Sequence, residues 1–271
     1  MRLGFLLLFI ISFSVATGQQ KQINLEEIWS GTFRAQGLDE LRSLKSGKQY
    51  AVLNYNRRSG GSSVDVYDYI SGEKVKTIVS SSQIKDANYF LSYTLSEDET
   101  KVLLATDLQQ IYRRSSLGTY YVYDVITEKM MLVSENKIQE PVLNSAGTKV
   151  AYGYNNNIFI KNLSTGVTIQ ITKDGIKNSI INGITDWVYE EEFAFVRAFE
   201  WNKDGSKIGY IKFDETSVPR FSMDVYGTDL YPSQQVFKYP KAGDPNAIVS
   251  LHLYDLCLLY TSPSPRDPTS S

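Results

Sequence analysis

The sequence NSAGTKVAYGY (residues 144–154) joins a polar turn to an alternating apolar strand, and its repetition along the chain decides the fold. The same combination of turn and strand returns at residues 45–55, 96–105 and 202–213, at intervals of about 50 residues. Alternation with a period of two is typical of a strand with one buried face. The spacing lies in the range of propeller blades, so the chain is predicted to consist of repeated small sheets.

A second landmark follows these strands and supports the same interpretation. Strand-like segments at residues 66–69, 122–125 and 159–163 each lead into a polar turn, and residues 253–256 begin a fourth copy. Blades stacked radially cover one another, which a single small sheet cannot do for itself. The competing β-sandwich would not explain a unit that returns four times. The prediction is an all-β chain that forms a partial β-propeller of about four blades, either a very small ring or, as we favour, an open fragment.

The composition and the first residues bear on location and partners. The 271 residues carry a net charge of −2, which gives no electrostatic case for nucleic acid. Residues 1–18 combine Arg2, an apolar run and small residues before Gln19, which predicts a cleaved signal peptide and a secreted or periplasmic protein without a membrane span after cleavage. The alternative is an anchor that stays attached. The lone Cys257 allows no internal disulfide.

The predicted propeller domain covers residues 19–256, and the composition changes after it. Residues 257–271 are rich in Pro, Ser and Thr, and the blade pattern stops. One interpretation is a disordered linker. The favoured one is a non-native tail, similar to the translated read-through of a sequencing adapter, because the break falls inside a strand signal.

The sequence offers few residues for hydrolysis. His252 is the only histidine and lies in an alternating strand, where a structural role is expected. The chain contains no Gly-x-Ser-x-Gly elbow, no His/Cys cluster and no phosphate-binding glycine loop. We therefore expect no catalytic residue, no metal and no cofactor.

An acidic segment interrupts the repeat before the fourth turn. Residues 186–193, DWVYEEEF, place three consecutive carboxylates between Trp187, Tyr189 and Phe193. Most charge runs are solvated turns. Here the aromatic residues favour burial, which would hold the carboxylates in place. Adjacent carboxylates repel one another, so a cation such as a peptide α-ammonium is the alternative partner.

A second candidate is the loop that contains Tyr112, Arg113 and Arg114. The structural interpretation is a solvated loop whose arginine forms an ion pair within the protein. The functional one is a guanidinium whose fork binds a carbonyl or carboxylate oxygen.

Together these segments resemble the dipeptidyl peptidase IV family of serine exopeptidases, over about residues 23–256. The resemblance rests on residues 186–193, on Tyr112-Arg113 followed by residues 120–124, and on residues 239–243. It implies an eight-bladed propeller that caps an α/β-hydrolase domain, and an enzyme that removes N-terminal dipeptides with Pro or Ala in second position. It also implies that Glu191 and Glu192 bind the substrate's free amino group and that Arg113, with Arg114 as the neighbouring alternative, contacts the peptide carbonyl. The expected supporting residues are Asp186, Trp187, Tyr189, Glu190 and Tyr112.

The departures from that family limit the predicted activity. The family's catalytic Ser, Asp and His lie downstream of the propeller, and neither they nor the α/β-hydrolase domain is present here. The expected function is therefore that of a substrate-clamping part of a dipeptidyl peptidase, inactive as this fragment. Expected partners are a peptide N-terminus, the missing hydrolase domain and, in the full-length parent enzyme, a second copy of that enzyme. The alternatives are a non-catalytic periplasmic propeller that binds peptides or a protein partner, and a purely structural propeller.

Overall fold

The computed structural model describes residues 22–35, 40–56, 60–85 and 87–263. The chain divides into two compact units, residues 1–38 and 39–271. The described part of the first unit contains helix α1 (Leu25–Trp29), which Asn24 caps by accepting a hydrogen bond from the Glu27 N–H at 2.8 Å. The predicted signal peptide lies outside the described residues and stays a prediction. Within the described ranges, no helix combines the length and apolar character needed to cross a membrane.

The second unit begins with three four-stranded antiparallel sheets, each formed by strands consecutive in sequence. We call them blades one to three. Their strands are β1 (Arg42–Ser43), β2 (Gln49–Asn56), β3 (Gly61–Asp68) and β4 (Lys74–Ser80); β5 (Ser92–Leu95), β6 (Lys101–Gln110), β7 (Ser116–Asp124) and β8 (Lys129–Leu132); and β9 (Gln139–Leu143), β10 (Lys149–Tyr154), β11 (Asn157–Asn162) and β12 (Thr168–Gln170).

Blade four follows the same plan with two insertions. Its inner strand is split into β13 (Ile180–Asn182) and β14 (Phe199–Trp201), which both pair with β15 (Lys207–Asp214). Helix α2 (Trp187–Phe193) lies between β13 and β14 in sequence. A separate hairpin, β16 (Arg220–Val225) and β17 (Ser233–Lys238), lies between β15 and β18 (Ile248–Asp255). The acidic segment is therefore a helix inserted into an interrupted strand.

The predicted turns share one geometry in all four blades. In blade three, the Asn144 N–H donates to the Lys149 carbonyl at 3.0 Å, and the Gly147 N–H donates to the Asn144 carbonyl at 2.9 Å. The equivalent bonds recur in the other blades. The fourth residue of each bonded turn has a φ in the left-handed region, which favours glycine: Gly47, Glu99, Gly147 and Gly205. The predicted repeat is confirmed by this common hydrogen-bonding pattern.

The second landmark is also confirmed, and it corrects the prediction for the tail. The Asp255 carboxylate accepts the N–H groups of Cys257 and Leu258 at 2.9 and 3.1 Å, as Asp68, Asp124 and Asn162 do for their own turns. Strand β19 (Tyr260–Pro263) then pairs with β18. The expectation of disorder from residue 257 is therefore wrong for residues 257–263, because backbone hydrogen bonds of the turn and the sheet edge order them. Residues 264–271 lie outside the described residues, and the non-native origin of the tail stays a prediction.

The hydrophobic core consists of layers between neighbouring blades. Successive residues of one strand face opposite layers: Leu104 packs with blade one, whereas Leu103 packs with Val150 and Tyr152 of blade three. On the other face of blade three, Ala151 belongs to the layer shared with blade four. This radial stacking confirms the predicted all-β fold, a partial β-propeller.

Candidate functional site

Helix α2 begins at a strong N-terminal cap. The Asp186 carboxylate, in a residue only 6% exposed, accepts the Tyr189 N–H at 2.9 Å. Asp is among the favoured capping residues because it satisfies an N–H that has no partner within the helix. Burial raises the pKa of Asp186, whereas the helix N–H groups of Tyr189 and Val188 oppose that shift. The helix ends at Ala194, whose φ of 60° lies in the left-handed region.

The three consecutive glutamates of α2 lie in three different environments. Glu190 is 1% exposed, and its Oε1 accepts the backbone N–H groups of Arg114 and Ser115 at 2.8 and 2.9 Å. Glu191 is partly buried, and its Oε2 lies 3.1 Å from Nε of Arg113. Glu192 is exposed. Successive helical residues point in directions about 100° apart, so a three-residue acidic run can serve three purposes.

These contacts bring two predicted segments together. The loop between β6 and β7 carries Arg113, and it meets α2 although the two are separated by about 75 residues. The Arg113 side chain is 72% exposed, so its guanidinium remains open to solvent beside the Glu191 carboxylate. The structure thus places Arg113 beside Glu191, and the exposed Glu192 is the next residue of α2, while their binding of substrate stays a prediction.

Aromatic residues of the inserted hairpin support both segments. Phe237 of β17 contacts the rings of Tyr112 and Trp187, with centroid distances of 5.8 and 6.1 Å. Trp187 also packs on Tyr239 at 4.5 Å. Tyr112 and Trp187 thus pack against the hairpin, while their supporting roles in substrate binding stay predictions. Sequence reasoning did not identify Phe237, whose role depends on a hairpin that folds back from another insertion.

The aromatic residues of the acidic segment are not equally buried. Tyr189 packs on Phe213 of β15, with a centroid distance of 5.0 Å. Phe193 is 62% exposed, and its ring contacts Tyr189 one turn earlier on the same helix. The expectation that Phe193 is buried is therefore wrong: it is the last residue of the helix and packs on Tyr189 while most of its surface stays open to solvent.

A cluster of buried ionisable groups lies behind α2. Burial, followed by the charges of Glu215, Glu190 and Asp186, raises the pKa of Tyr112 to about 12. Burial and the nearby Asp186 carboxyl raise the pKa of Glu215 to about 7, although Lys238 opposes the shift. The Lys238 ammonium donates to the carbonyls of Thr216 and Val218 at 3.1 and 2.6 Å. Glu215 and Lys238 carry no sequence signal, because each is an ordinary charged residue beside a strand end.

The same groups border a cavity of about 860 Å³. The residues that line it include Tyr112, Asp186, Trp187, Glu190, Glu215 and Lys238. Such a volume is in the range of sites that hold small ligands or short peptides. Trp187 and Glu190 of α2 therefore border this cavity, whereas Arg113, Glu191 and Glu192 do not line it.

His252 lies where the sequence predicted, inside β18. Its ring stacks on Tyr210 at 5.3 Å and its Nε2 forms a hydrogen bond with the Ser250 hydroxyl at 2.8 Å. Burial lowers the pKa of His252. In the part of the chain that the structure describes, no group of three or more His, Cys, Asp and Glu side chains is arranged to hold a metal ion.

Comparison with known proteins agrees with this architecture. Residues 96–268 match the family profile described as dipeptidyl peptidase IV (DPP IV) N-terminal region. Human prolyl endopeptidase FAP is 32% identical over 240 residues, covering 87% of this chain and 30% of the human protein. A probable dipeptidyl-aminopeptidase B from Neurospora crassa is 31% identical over 275 residues, covering 90% of this chain and 29% of the fungal protein.

A solved structure shows the same similarity in three dimensions. Dipeptidyl peptidase 4 from Porphyromonas gingivalis matches with a TM-score of 0.82 and 36% sequence identity, over 92% of this chain and 36% of that one. The chain thus spans roughly a third of the length of the relatives it matches. The matched profile covers more than half of the chain, and the repeated blades agree with it. This chain belongs to the dipeptidyl peptidase IV family and corresponds to part of its N-terminal propeller region.

Proposed function

We propose that this chain is the substrate-clamping part of the propeller of a secreted dipeptidyl peptidase. In this proposal, Glu191 and Glu192 bind the α-ammonium of a peptide, and Arg113 binds the oxygen of the first peptide carbonyl. The observation that carries it is the juxtaposition of the partly buried Glu191 carboxylate with the exposed Arg113 guanidinium, whose Nε lies 3.1 Å from Glu191 Oε2. The exposed Glu192 is the next residue in the sequence.

The chemistry of this surface suits a free peptide N-terminus. An ammonium has three N–H donors and gains most from charged acceptors, which two neighbouring carboxylates supply. Arg113 neutralises part of the acidic charge and retains exposed donors for a carbonyl. Because the carboxylates recognise the terminal amine itself, the clamp would measure a fixed distance from the N-terminus and so favour exopeptidase cleavage.

The first test measures binding of a peptide that begins Ala-Pro and carries a fluorophore at its C-terminus. The full chain should bind this peptide, and N-acetylation, which removes the charge, should weaken binding about tenfold or more. Glu191→Gln should weaken binding to a similar extent, whereas Glu135→Ala, which changes an exposed carboxylate between β8 and β9, should not. Equal affinity for the free and acetylated peptides would contradict the proposed clamp.

Cleavage is proposed to require the parent's hydrolase domain. The single histidine, His252, stacks on Tyr210 within a sheet, and its Nε2 bonds the hydroxyl of Ser250 in the same strand, which is not the sharp strand-to-helix turn on which such hydrolases expose their nucleophilic serine. Purified chain should therefore release no chromophore from an Ala-Pro amide above the buffer rate. Release that titrates with the amount of chain would support an unrecognised active site and overturn this part of the proposal.

Export is proposed from the N-terminal pattern alone. If residues 1–18 are a signal peptide, the mature protein isolated from the periplasm or medium should begin at Gln19. N-terminal sequencing decides this, and an intact Met1 would contradict it.

A further inference from the structure

Glu190 differs from its two acidic neighbours in what it contacts. Its side chain is fully buried, and its Oε1 accepts two successive backbone N–H groups, those of Arg114 and Ser115. Both donors belong to blade two, whereas Glu190 belongs to the insertion of blade four. A single carboxylate oxygen therefore links two blades that are not neighbours in the sheet order.

These two hydrogen bonds fix the backbone next to Arg113. The N–H of Arg114 is part of the peptide group that joins Arg114 to Arg113, so Glu190 sets the orientation of that group. The adjacent Ser115 N–H fixes the next one at 2.9 Å. Hydrogen bonds from N–H groups to a buried carboxylate are stronger than those between neutral groups. The backbone that carries Arg113 is thus held firmly on α2.

The Arg113 side chain has little else to hold it. It is 72% exposed, so its half of the ion pair with the partly buried Glu191 is open to solvent. Exposed ion pairs contribute little on their own, because water screens them and long side chains lose rotamer freedom. The position of the guanidinium must therefore depend mainly on where the loop backbone lies. If the Arg113 side chain were mobile before binding, ordering it on the peptide would cost conformational entropy and weaken the affinity.

We propose that Glu190 is a positioning residue, which holds the loop of Arg113 against α2 and so sets the distance between Arg113 and Glu191. Glu190 contacts no substrate in this proposal; it acts through the backbone of Arg114 and Ser115. The inference deepens the clamp described under Proposed function and rests on it for its effect on peptide binding. The link between Glu190 and the loop does not depend on any ligand.

A matched pair of substitutions separates the hydrogen bonds from side-chain volume. Glu190→Gln keeps the length and an acceptor oxygen, whereas Glu190→Met keeps the length and removes the acceptor. Hydrogen exchange of the Arg114 and Ser115 amides, read by NMR, reports the link without a ligand. In Glu190→Met both amides should exchange about tenfold faster or more, because their acceptor is lost. The Glu135→Ala control should leave them unchanged.

A double-mutant cycle tests whether Glu190 acts through Arg113. Glu190→Met should weaken binding of the Ala-Pro peptide about tenfold, and Glu190→Gln should restore it to within about threefold of the parent chain. In an Arg113→Ala background, Glu190→Met should have less than a twofold effect, because the group it positions is gone. A merely structural role would weaken binding equally in both backgrounds.

Each outcome decides one of the two proposals. Faster amide exchange together with non-additive binding supports the positioning role. Unchanged exchange in Glu190→Met, or additive losses in the cycle, overturns it. Should Glu190→Met not fold, Glu190→Gln decides: its weaker acceptor should speed exchange of these two amides about threefold while amides of β7 stay unchanged, and equal rates would overturn the proposal. If the peptide fails to bind the parent chain, the clamp is wrong, and the exchange data still decide on the link.

Discussion

Blades three and four share the turns of the repeat, yet only blade four interrupts its strands. Blade three runs from β9 to β12 as one meander, and its turn at residues 144–147 has the same two backbone hydrogen bonds as the turn at residues 202–205. Blade four keeps that turn and the long β15–β18 pairing. It accommodates helix α2 before that turn, between β13 and β14, and the β16–β17 hairpin between β15 and β18.

The two blades also differ in the charges that they bury. The described residues contain five buried charged side chains, and four of them lie in or beside the insertions of blade four: Asp186, Glu190, Glu215 and Lys238. The buried polar residues of blade three, such as Asn144 and Asn157, are uncharged. Buried charge costs free energy unless it is bonded or neutralised. Blade three thus buries uncharged polar groups, whereas the insertions of blade four bury charged side chains whose burial costs free energy. Functional sites often retain such groups.

The largest predicted effect concerns Gly183, where the chain leaves the inner strand of blade four. Its φ is +74°, and an added Cβ would lie 2.6 Å from Cδ1 of Ile158 and 3.0 Å from Cδ1 of Phe199. Gly183→Ala should reduce the free energy of unfolding by about 3 kcal/mol, from left-handed strain plus overpacking. Thermal unfolding should show a fall of roughly 6 to 12 °C.

Gly209 of β15 provides the matched control for that substitution. It has no positive φ, and a Cβ there meets nothing within 4 Å. Gly209→Ala should leave the melting temperature unchanged within about 2 °C. If Gly183→Ala and Gly209→Ala have the same melting temperature, the backbone at Gly183 does not require glycine. The interrupted strand of blade four would then impose no strain that blade three lacks.

The second prediction concerns the buried charge behind α2. Burial and Asp186 raise the pKa of Glu215 to about 7, so folded protein binds a proton that the unfolded chain releases near pH 4.5. The contribution of Glu215 to stability is therefore greatest below pH 4.5 and is lost as the pH rises through 7. Glu215→Gln should match the unsubstituted chain near pH 4 and be more stable by about 2 kcal/mol at pH 8, measured by urea unfolding.

Asp65 of blade one should show the opposite dependence. Burial favours its neutral form, but hydrogen bonds from Lys74, Asn54, Thr77 and Ser63 lower its pKa overall. Its contribution is present above pH 4 and is lost as the pH falls further. Asp65→Asn should therefore lower the free energy of unfolding at pH 7. Its difference from the unsubstituted chain should become smaller as the pH falls below 4. Curves of the same sign for both variants would show that the charge of Glu215 is not held as the structure indicates.

The scaffold was predictable from sequence because its signals are local. Asn144 binds backbone groups within five residues of itself, and Asp68 binds N–H groups two and three residues ahead. Such bonds depend on short polar side chains at fixed positions in a turn. Alternation in the strands likewise records burial on one face. The turns and the strands that follow them were therefore located correctly from the sequence.

The site was only partly predictable, because its contacts are distant in sequence. Residues 186–193 broke the repeat, which identified the segment but not its helical conformation. The helix depends on the Asp186 cap and on Glu190 bonds to a loop of another blade. Glu215 and Lys238 gave no signal, since their burial arises only when the hairpin folds onto α2. Local patterns thus find an insertion, whereas tertiary packing determines what it does.

The smallest predicted effect concerns the turn at residues 255–259 of blade four. Its left-handed position is held by Leu259, with a φ of 52°, where blades one and three have Gly72 and Gly166. A Cβ in this conformation costs free energy that glycine avoids, so Leu259→Gly should stabilise the turn by about 1 kcal/mol. Amides of β19 should then exchange about fivefold more slowly.

Blade three offers the reverse substitution at the equivalent position. Gly166 has a φ of +73° and open space around it, so Gly166→Ala introduces backbone strain without a clash. It should destabilise by about 1 kcal/mol, opposite in sign to Leu259→Gly. Opposite signs would show that both blades impose one turn geometry and that Leu259 is a poor fit to it, as a non-native tail would be. If Leu259→Gly does not slow amide exchange, or if both variants change stability in the same direction, the turn of residues 255–259 tolerates leucine. The equivalence of the two blades would then end at β18.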